Sequence, residues 1–282
     1  MKKILFVFML ILLATIQPAS TQAAEGDPIW TKTSNPSVGT DYAHALVVDS
    51  TGLYVAGIDA TPPVAGDVQW RIEKRSLVNG DPIWTKTIDP SGGWDRISAL
   101  AVDSTGLYAA GWDSAPSIGD FQWRIEKRSL VNGDPIWTKT VNPSASWDTA
   151  FALAVDGTGL YAAGMDSNPG NFQWRIEKRS LVNGDPIWTK TVNPYNIATG
   201  FTFETVYALA VDGTGLYAAG MDLAPGNNQW RIEKRSLVNG DPIWAKTSNP
   251  SSSHDGAYAL AVDATGPDVA GAYAVPGNNQ WR

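Results

Sequence analysis

The sequence predicts an all-β protein built from repeated units of four short antiparallel strands. A fifteen-residue motif, WRIEKRSLVNGDPIW, occurs four times letter for letter, at residues 70–84, 123–137, 174–188 and 230–244. Its Trp-Arg start recurs at spacings of 53, 51, 56 and 51 residues, the last time at Trp281. Each unit contains short aromatic and β-branched runs bounded by Gly, Asn and Asp, which favour strands and hairpin turns.

The second unit shows the predicted elements. Its four strands are expected at residues 99–103, 107–111, 122–130 and 135–140. The D-x-T-G and V-N-G-D sequences between them have hairpin-turn chemistry. Strand alternation places Trp123 on one face of the third strand and Arg124, Glu126 and Arg128 on the other. Because the Glu accompanies both Arg residues in every copy, we predict an ion-paired ladder inside and between units, rather than a basic ligand strip.

Four-stranded units of this length, repeated along a chain, are typical of β-propeller blades. The inner pair ALAVD/LYAAG or its variants occurs five times, beginning at Ala45, Ala99, Ala152, Ala208 and Ala259. We therefore predict a five-bladed β-propeller as one domain, residues 25–282. Its units are expected at residues 34–87, 88–140, 141–191, 192–247, and 248–282 together with 26–33.

The two ends of the chain carry the two ends of the motif. Residues 26–33 read GDPIWTKT, a fourth strand without its own unit, and the chain ends on QWR. This predicts a propeller closed by the N-terminal strand in the last blade. Eight residues, IEKRSLVN, are missing from that join, so the alternative is a piece of a longer parent with more blades.

Residues 1–24 have the pattern of a secretory signal peptide. Lys2 and Lys3 precede a short apolar run and a small-residue end. A secreted protein is therefore expected, at the cell surface, in the periplasm or in the medium, with no membrane insertion of the mature chain. Loss of these two lysines takes the net charge from −7 to −9, which argues against nucleic acid as a partner. The chain has no Cys, which excludes disulfides and thiolate metal sites.

The sequences AVDGTGLYAAG and NGDPIWTKT resemble repeats of secreted bacterial and archaeal β-propeller proteins. The G-x-P-x-W ending is, more weakly, similar to quinoprotein propeller repeats. The resemblance covers nearly all of the mature chain and implies the propeller fold. It implies no single function, because propellers serve in binding, scaffolding and catalysis. No quinone-binding residues can be matched, so no cofactor is expected.

The variable segments are expected on one face of the propeller. They are the connections between strands two and three and between successive units, and function is commonly carried by loops on a rigid scaffold. Ten of the thirteen Trp residues belong to the motif, whereas the other three stand in or next to these segments. Exposed aromatic side chains beside carboxylates suit sugar or peptide binding. The candidate ligand-binding residues are Trp94, Trp112, Trp147, Phe203, His254, Asp41, Asp95, Asp148, Glu204 and Asp255.

Two sets of acids recur along this face. Asp41, Asp95, Asp148, Glu204 and Asp255 precede the inner strands, and Asp59, Asp113, Asp166 and Asp222 follow the second strands. These acids are expected around the mouth of the central channel of the propeller, where they could hold a cation through their oxygens. Recurrence in every unit instead favours a structural role, such as closing a loop.

Three functions are consistent with these patterns. The first is a non-enzymatic binding or scaffold module for a glycan or an extracellular protein. The second is an extracellular hydrolase or lyase that uses the acids at the channel mouth. The third is a structural fragment of a longer surface-repeat protein. Catalytic motifs are absent from the sequence, and its two histidines, His44 and His254, lie in the first and fifth units.

Overall fold

The computed structural model describes residues 27–60, 67–117, 119–168, 170–193, 204–223, 227–275 and 278–281. The chain divides into two units between Thr31 and Lys32, and every described strand belongs to the second, Lys32–Arg282. In chain order the strands are β1 Tyr42–Asp49, β2 Gly52–Asp59, β3 Gln69–Arg75, β4 Pro82–Ile88, β5 Arg96–Asp103, β6 Gly106–Ser117, β7 Asp120–Arg128, β8 Pro135–Val141, β9 Thr149–Asp156, β10 Gly159–Asp166, β11 Gln173–Arg179, β12 Pro186–Val192, β13 Thr205–Asp212, β14 Gly215–Asp222, β15 Gln229–Arg235, β16 Pro242–Ser248, β17 Gly256–Asp263, β18 Gly266–Val275 and β19 Asn278–Trp281.

These strands form five antiparallel sheets, each a simple meander. Sheets 1 to 4 are β1–β4, β5–β8, β9–β12 and β13–β16, and sheet 5 is β17–β19. The first strands of consecutive sheets pack against each other in chain order. Antiparallel four-stranded sheets stacked in this way are consistent with the predicted propeller. No helix occurs among the described residues, and therefore none that could cross a membrane.

The turns between strands adopt the conformations that their sequences predict. In the D-x-T-G turn of sheet 1, Asp49 Oδ1 accepts hydrogen bonds from the backbone N–H of Thr51 at 2.7 Å and of Gly52 at 3.0 Å. The V-N-G-D turn needs Gly80 at φ 70°, a left-handed conformation that other residues rarely adopt. These turns fix the hairpin registers, so the first, second and fourth strands of the sheets begin at equivalent letters of the repeat.

Each junction between consecutive sheets has its own apolar core. Between sheets 2 and 3 it includes Tyr108, Trp123 and Ile125 of sheet 2, against Leu153 and Leu160 of sheet 3. Corresponding clusters fill the other three junctions. One sheet thus contributes motif residues together with one face of its ALAVD/LYAAG pair, and the next sheet contributes the opposite face of its own pair.

The predicted ion-paired ladder is confirmed inside each complete sheet. In sheet 2, Glu126 lies between two guanidinium groups, 2.6 Å from Arg124 and 2.5 Å from Arg128. Arg124 also contacts Asp113 at 3.4 Å, and Arg128 donates to the carbonyl oxygen of Gly133 at 2.8 Å. Between sheets, the expected ladder is wrong: the arginines contact the neighbouring sheet by stacking, and Arg124 lies 5.9 Å from the centroid of the Trp70 ring.

The predicted closure by the N-terminal strand is not observed. Residues 27–33 contain no strand, and sheet 5 has three strands rather than four. Strand β19 pairs with β18 over only four residues, from Asn278 to Trp281. Such a short partner offers little backbone to a fourth strand.

Candidate functional site

The described parts of two pairs of variable connections lie against each other at one edge of the sheets. Two parallel β-bridges join the connection between the second and third strands of one sheet to the loop that enters the next sheet. They pair Val68 with Trp94 and Phe121 with Trp147. In the second bridge the N–H of Phe121 donates to Ser146 O at 3.1 Å, and the N–H of Asp148 donates to Phe121 O at 2.9 Å. The loops of neighbouring sheets are therefore held against each other by their backbones.

The acids before the inner strands close their own loops. Asp148 accepts hydrogen bonds from Ser144 Oγ at 2.9 Å and from the backbone N–H groups of Ser144 and Ser167 at 3.0 Å. Asp95 is held in the same way by Ser91 and Ser114. Corresponding bonds reach Asp41 and Asp255 from the Ser four residues earlier. This arrangement favours the structural role, since each carboxylate satisfies donors of its own connection.

Burial raises the pKa of Asp95 and of Asp148 to about 6, and the hydrogen bonds from serine only partly oppose it. A carboxyl group with such a pKa is a candidate general acid. Both side chains are fully buried beneath their serines, however, so a substrate atom has no route to the carboxyl oxygens. Their pKa values therefore reflect burial in a loop.

The acids after the second strands belong to the ion-paired ladders. They lie 3.1–3.4 Å from the first arginine of their own sheet, and they are Asp59, Asp113, Asp166 and Asp222. All four are buried. The described residues contain no group of three or more His, Asp or Glu side chains that could hold a metal ion.

Three aromatic side chains from sheet 2 and the following loop form one cluster on the variable face. Trp112, on β6, lies 4.5 Å from Phe121, on β7, measured between ring centroids. Phe121 in turn lies 5.6 Å from Trp147 in an edge-to-face contact. Trp147 is 48% exposed, whereas Trp112 and Phe121 are half-buried beneath it. The cluster thus supports one exposed indole on two rigid neighbours.

A small cleft of about 100 Å³ lies beside this cluster. Ser146, Ser167, Gly170, Asn171 and Phe172 line it. The hydroxyl of Ser167 donates to the carbonyl oxygen of Trp147 at 3.3 Å, which ties the cleft wall to the exposed indole. Hydroxyl, amide and ring surfaces therefore meet at one place.

The other predicted residues are placed separately. Trp94 is 61% exposed at the position equivalent to Trp147, but its bridge partner is Val68 in place of Phe121. His254 is exposed and hydrogen-bonds Asn228 at 2.9 Å. Glu204 is buried, and Phe203 lies outside the described residues.

The two histidines take different partners. His44 lies on β1, stacked on Tyr42 at 5.9 Å, and burial, followed by the charge of Arg96, lowers its pKa. Its ring is therefore neutral near pH 7. His254 lies in the loop before β17 and bonds Asn228. This separation gives no support to a paired acid and base.

Sequence reasoning missed Phe121 and the cleft residues. Phe121 stands directly before the Gln that opens the motif strand, where the first, third and fourth units have Val68, Phe172 and Asn228. The variation at this position was the available signal. The serines and Asn171 gave no signal, because Ser and Asn are common in all variable segments.

No protein-family model and no curated protein matches the chain. Solved structures are similar to it, among them three with folds of the propeller type. A quinohemoprotein alcohol dehydrogenase, ADHIIG from Pseudomonas putida HK5, is 14% identical at a TM-score of 0.48, covering 82% of this chain and 38% of its own. A thermostable family-43 glycoside hydrolase is 12% identical at a TM-score of 0.43, and the match covers 89% of this chain and 96% of the hydrolase chain. Sqt1 from Chaetomium thermophilum is 14% identical at a TM-score of 0.37, and the match covers 82% of this chain and 66% of the Sqt1 chain.

This chain thus spans less than two-fifths of the alcohol dehydrogenase. Similarities of this size carry no statement about activity, cofactor or ligand. The site has to be interpreted from its own residues.

Proposed function

We propose that this protein is a secreted, non-enzymatic binding module whose ligand is a glycan held on the variable face. The observation that supports the proposal is the cluster of Trp112, Phe121 and Trp147 beside the polar cleft. The face of a sugar ring stacks on Trp147, and the sugar hydroxyl groups bond the serine and asparagine groups of the cleft.

The chemistry of the face agrees with a neutral sugar ligand. The chain carries a net charge of −7, which disfavours polyanions as ligands. Trp147 is held by a backbone bridge and by its ring contact with Phe121, so little conformational freedom is lost when a ligand stacks on it. An extracellular protein as partner is the alternative occupant of the same face.

The second candidate, a hydrolase or lyase, has less support. Of the acids it would use, Asp41 is half-buried and the other four are buried, and all but Glu204 are bonded by the Ser four residues earlier. The two histidines have separate partners. From the sequence, the recurring acids suggest a cation site. No cluster of metal ligands among the described residues supports it.

Trp147→Ala is expected to weaken glycan binding at least tenfold. Stacking on one aromatic ring contributes about 0.5–1.5 kcal/mol beyond the area it buries, and both contributions are lost on truncation. The protein would be screened on an array of neutral oligosaccharides, and the strongest hit titrated calorimetrically against the variant.

Trp94→Ala is the matched control, because Trp94 occupies the equivalent loop position and lacks the Phe neighbour. It is expected to change the affinity less than threefold. Absence of binding to every sugar on the array would overturn the glycan proposal, as would equal losses in the two variants. Folding of both variants is checked by circular dichroism, and the exposure of both side chains predicts no change.

A further inference from the structure

The first sheet exposes an apolar face that the other sheets bury. Leu46 and Val48 on β1 are 62% and 58% exposed. Leu100 and Leu153, which take the place of Leu46 in sheets 2 and 3, are 7% and 9% exposed because the preceding sheet covers them. Sheet 1 therefore presents the receiving half of a junction, in which Leu46 and Val48 stay exposed.

The last sheet exposes the opposite half. Trp281 on β19 is 90% exposed, whereas its four equivalents, Trp70, Trp123, Trp174 and Trp230, are 0–5% exposed. Ala259 and Ala261 on β17 are exposed as well, although Ala99 and Ala101 of sheet 2 are buried. At the equivalent positions of sheet 2, Trp123, Ala99 and Ala101 belong to the core between sheets 2 and 3.

The internal junctions show how the two halves fit. The indole N–H of the motif Trp donates to a backbone oxygen of the next sheet, as Trp123 does to Met165 O at 3.0 Å. The first motif arginine of that next sheet covers the ring, as Arg175 does at 5.8 Å from the Trp123 centroid. In sheet 1 the equivalent groups are the carbonyl oxygen of Ile58 and the guanidinium of Arg71.

Arg71 is the most exposed of its set, consistent with a missing aromatic neighbour. Its side chain is 25% exposed, against 14–17% for Arg124, Arg175 and Arg231. The exposed face of sheet 1 thus has the backbone oxygen and the arginine that hold the motif Trp in the internal junctions. Trp281 is the side chain that matches them.

The two halves are not joined within the chain. First strands pack in the order β1, β5, β9, β13 and β17, and among the described residues β17 does not pack against β1 as those pairs do. We infer that the face of sheet 5 binds the face of sheet 1 on a second copy of this chain, in a fifth junction of the same kind. The contact is heterologous, because its two surfaces differ, so copies associate head to tail.

Lys32 supports this placement. Lys86 and Lys139, on fourth strands, each ion-pair with the Asp of the next sheet's V-N-G-D turn at 2.7 Å. Lys32 makes the same 2.7 Å contact with Asp81 of sheet 1. Lys32 therefore contacts sheet 1 as a fourth-strand lysine of the preceding sheet does in the internal junctions. Sheet 5 of the second copy, which would be that preceding sheet, has no fourth strand.

The test is the molar mass of the purified chain in solution, measured by light scattering at micromolar concentration. We expect the wild-type chain to form oligomers. Leu46→Asp, on the sheet 1 face, and Ala261→Arg, on the sheet 5 face, are each expected to be monomeric. Val131→Asp is the matched control: Val131 is 84% exposed in a turn away from both faces, and its variant should associate like wild type.

A monomeric wild-type chain would overturn the inference, since its faces would then close on each other or stay free. Oligomers that persist in Leu46→Asp or in Ala261→Arg would overturn it as well. All three substituted positions are exposed, so circular dichroism should show wild-type folding in each variant.

Discussion

Trp123→Ala is expected to lower the free energy of unfolding by about 3–5 kcal/mol, the usual cost of truncating a fully buried large aromatic. The indole fills the junction between sheets 2 and 3 and donates to Met165 O at 3.0 Å. Its loss leaves a cavity and removes the ring that Arg175 covers. Chemical denaturation followed by circular dichroism measures the change.

Trp147→Ala is the control for this effect, because its indole is 48% exposed and lies outside every internal junction. It should change stability little. A Trp123→Ala loss no larger than that of Trp147→Ala would contradict the assignment of the motif Trp to the junctions.

Glu126→Gln is expected to cost about 3–5 kcal/mol, because removal of one partner leaves buried charges uncompensated. Glu126 is fully buried, and its two oxygens contact two different guanidiniums, those of Arg124 and Arg128. Gln keeps the shape and removes the charge. Arg128 also holds the Gly133 turn, so the loss reaches the neighbouring hairpin.

Lys86→Ala provides the comparison, since it removes an ion pair whose two side chains are 35% and 57% exposed. Solvent screens such pairs, and no measurable loss of stability is expected. Equal effects of Glu126→Gln and Lys86→Ala in the same denaturation assay would show that the ladder is not buried in solution.

The repeat made the sheets predictable. Hairpin turns fix the register of each strand pair, so the predicted segment 99–103 lies inside β5 and 135–140 inside β8. The ladder followed from alternation on one strand, which is a local property. The contacts of Arg124 with Trp70 were not predictable in this way, since they depend on how one sheet meets the next.

The candidate site was predictable only in part. Trp112 and Trp147 stood out as Trp residues outside the motif, and the structure links them through Phe121. That link joins two strands of sheet 2 to the loop before sheet 3, whose path the repeat does not specify. Recurrence in every unit favoured a loop-closing role for Asp148, but the sequence shows its spacing and not the burial that places it under Ser144.

Identical letters also acquired different environments. Trp123 and Trp281 begin the same motif, and one is fully buried while the other is 90% exposed. The difference arises because sheet 3 packs on Trp123, whereas no described strand packs on Trp281. The central claim is therefore that a single kind of junction joins sheets inside the chain and continues between chains.

Sedimentation velocity on an equimolar mixture of Leu46→Asp and Ala261→Arg tests that claim most directly. Each variant retains one intact end face, so the mixture should form a one-to-one dimer that grows no further, although each variant alone is monomeric. A mixture that stays monomeric would contradict the claim.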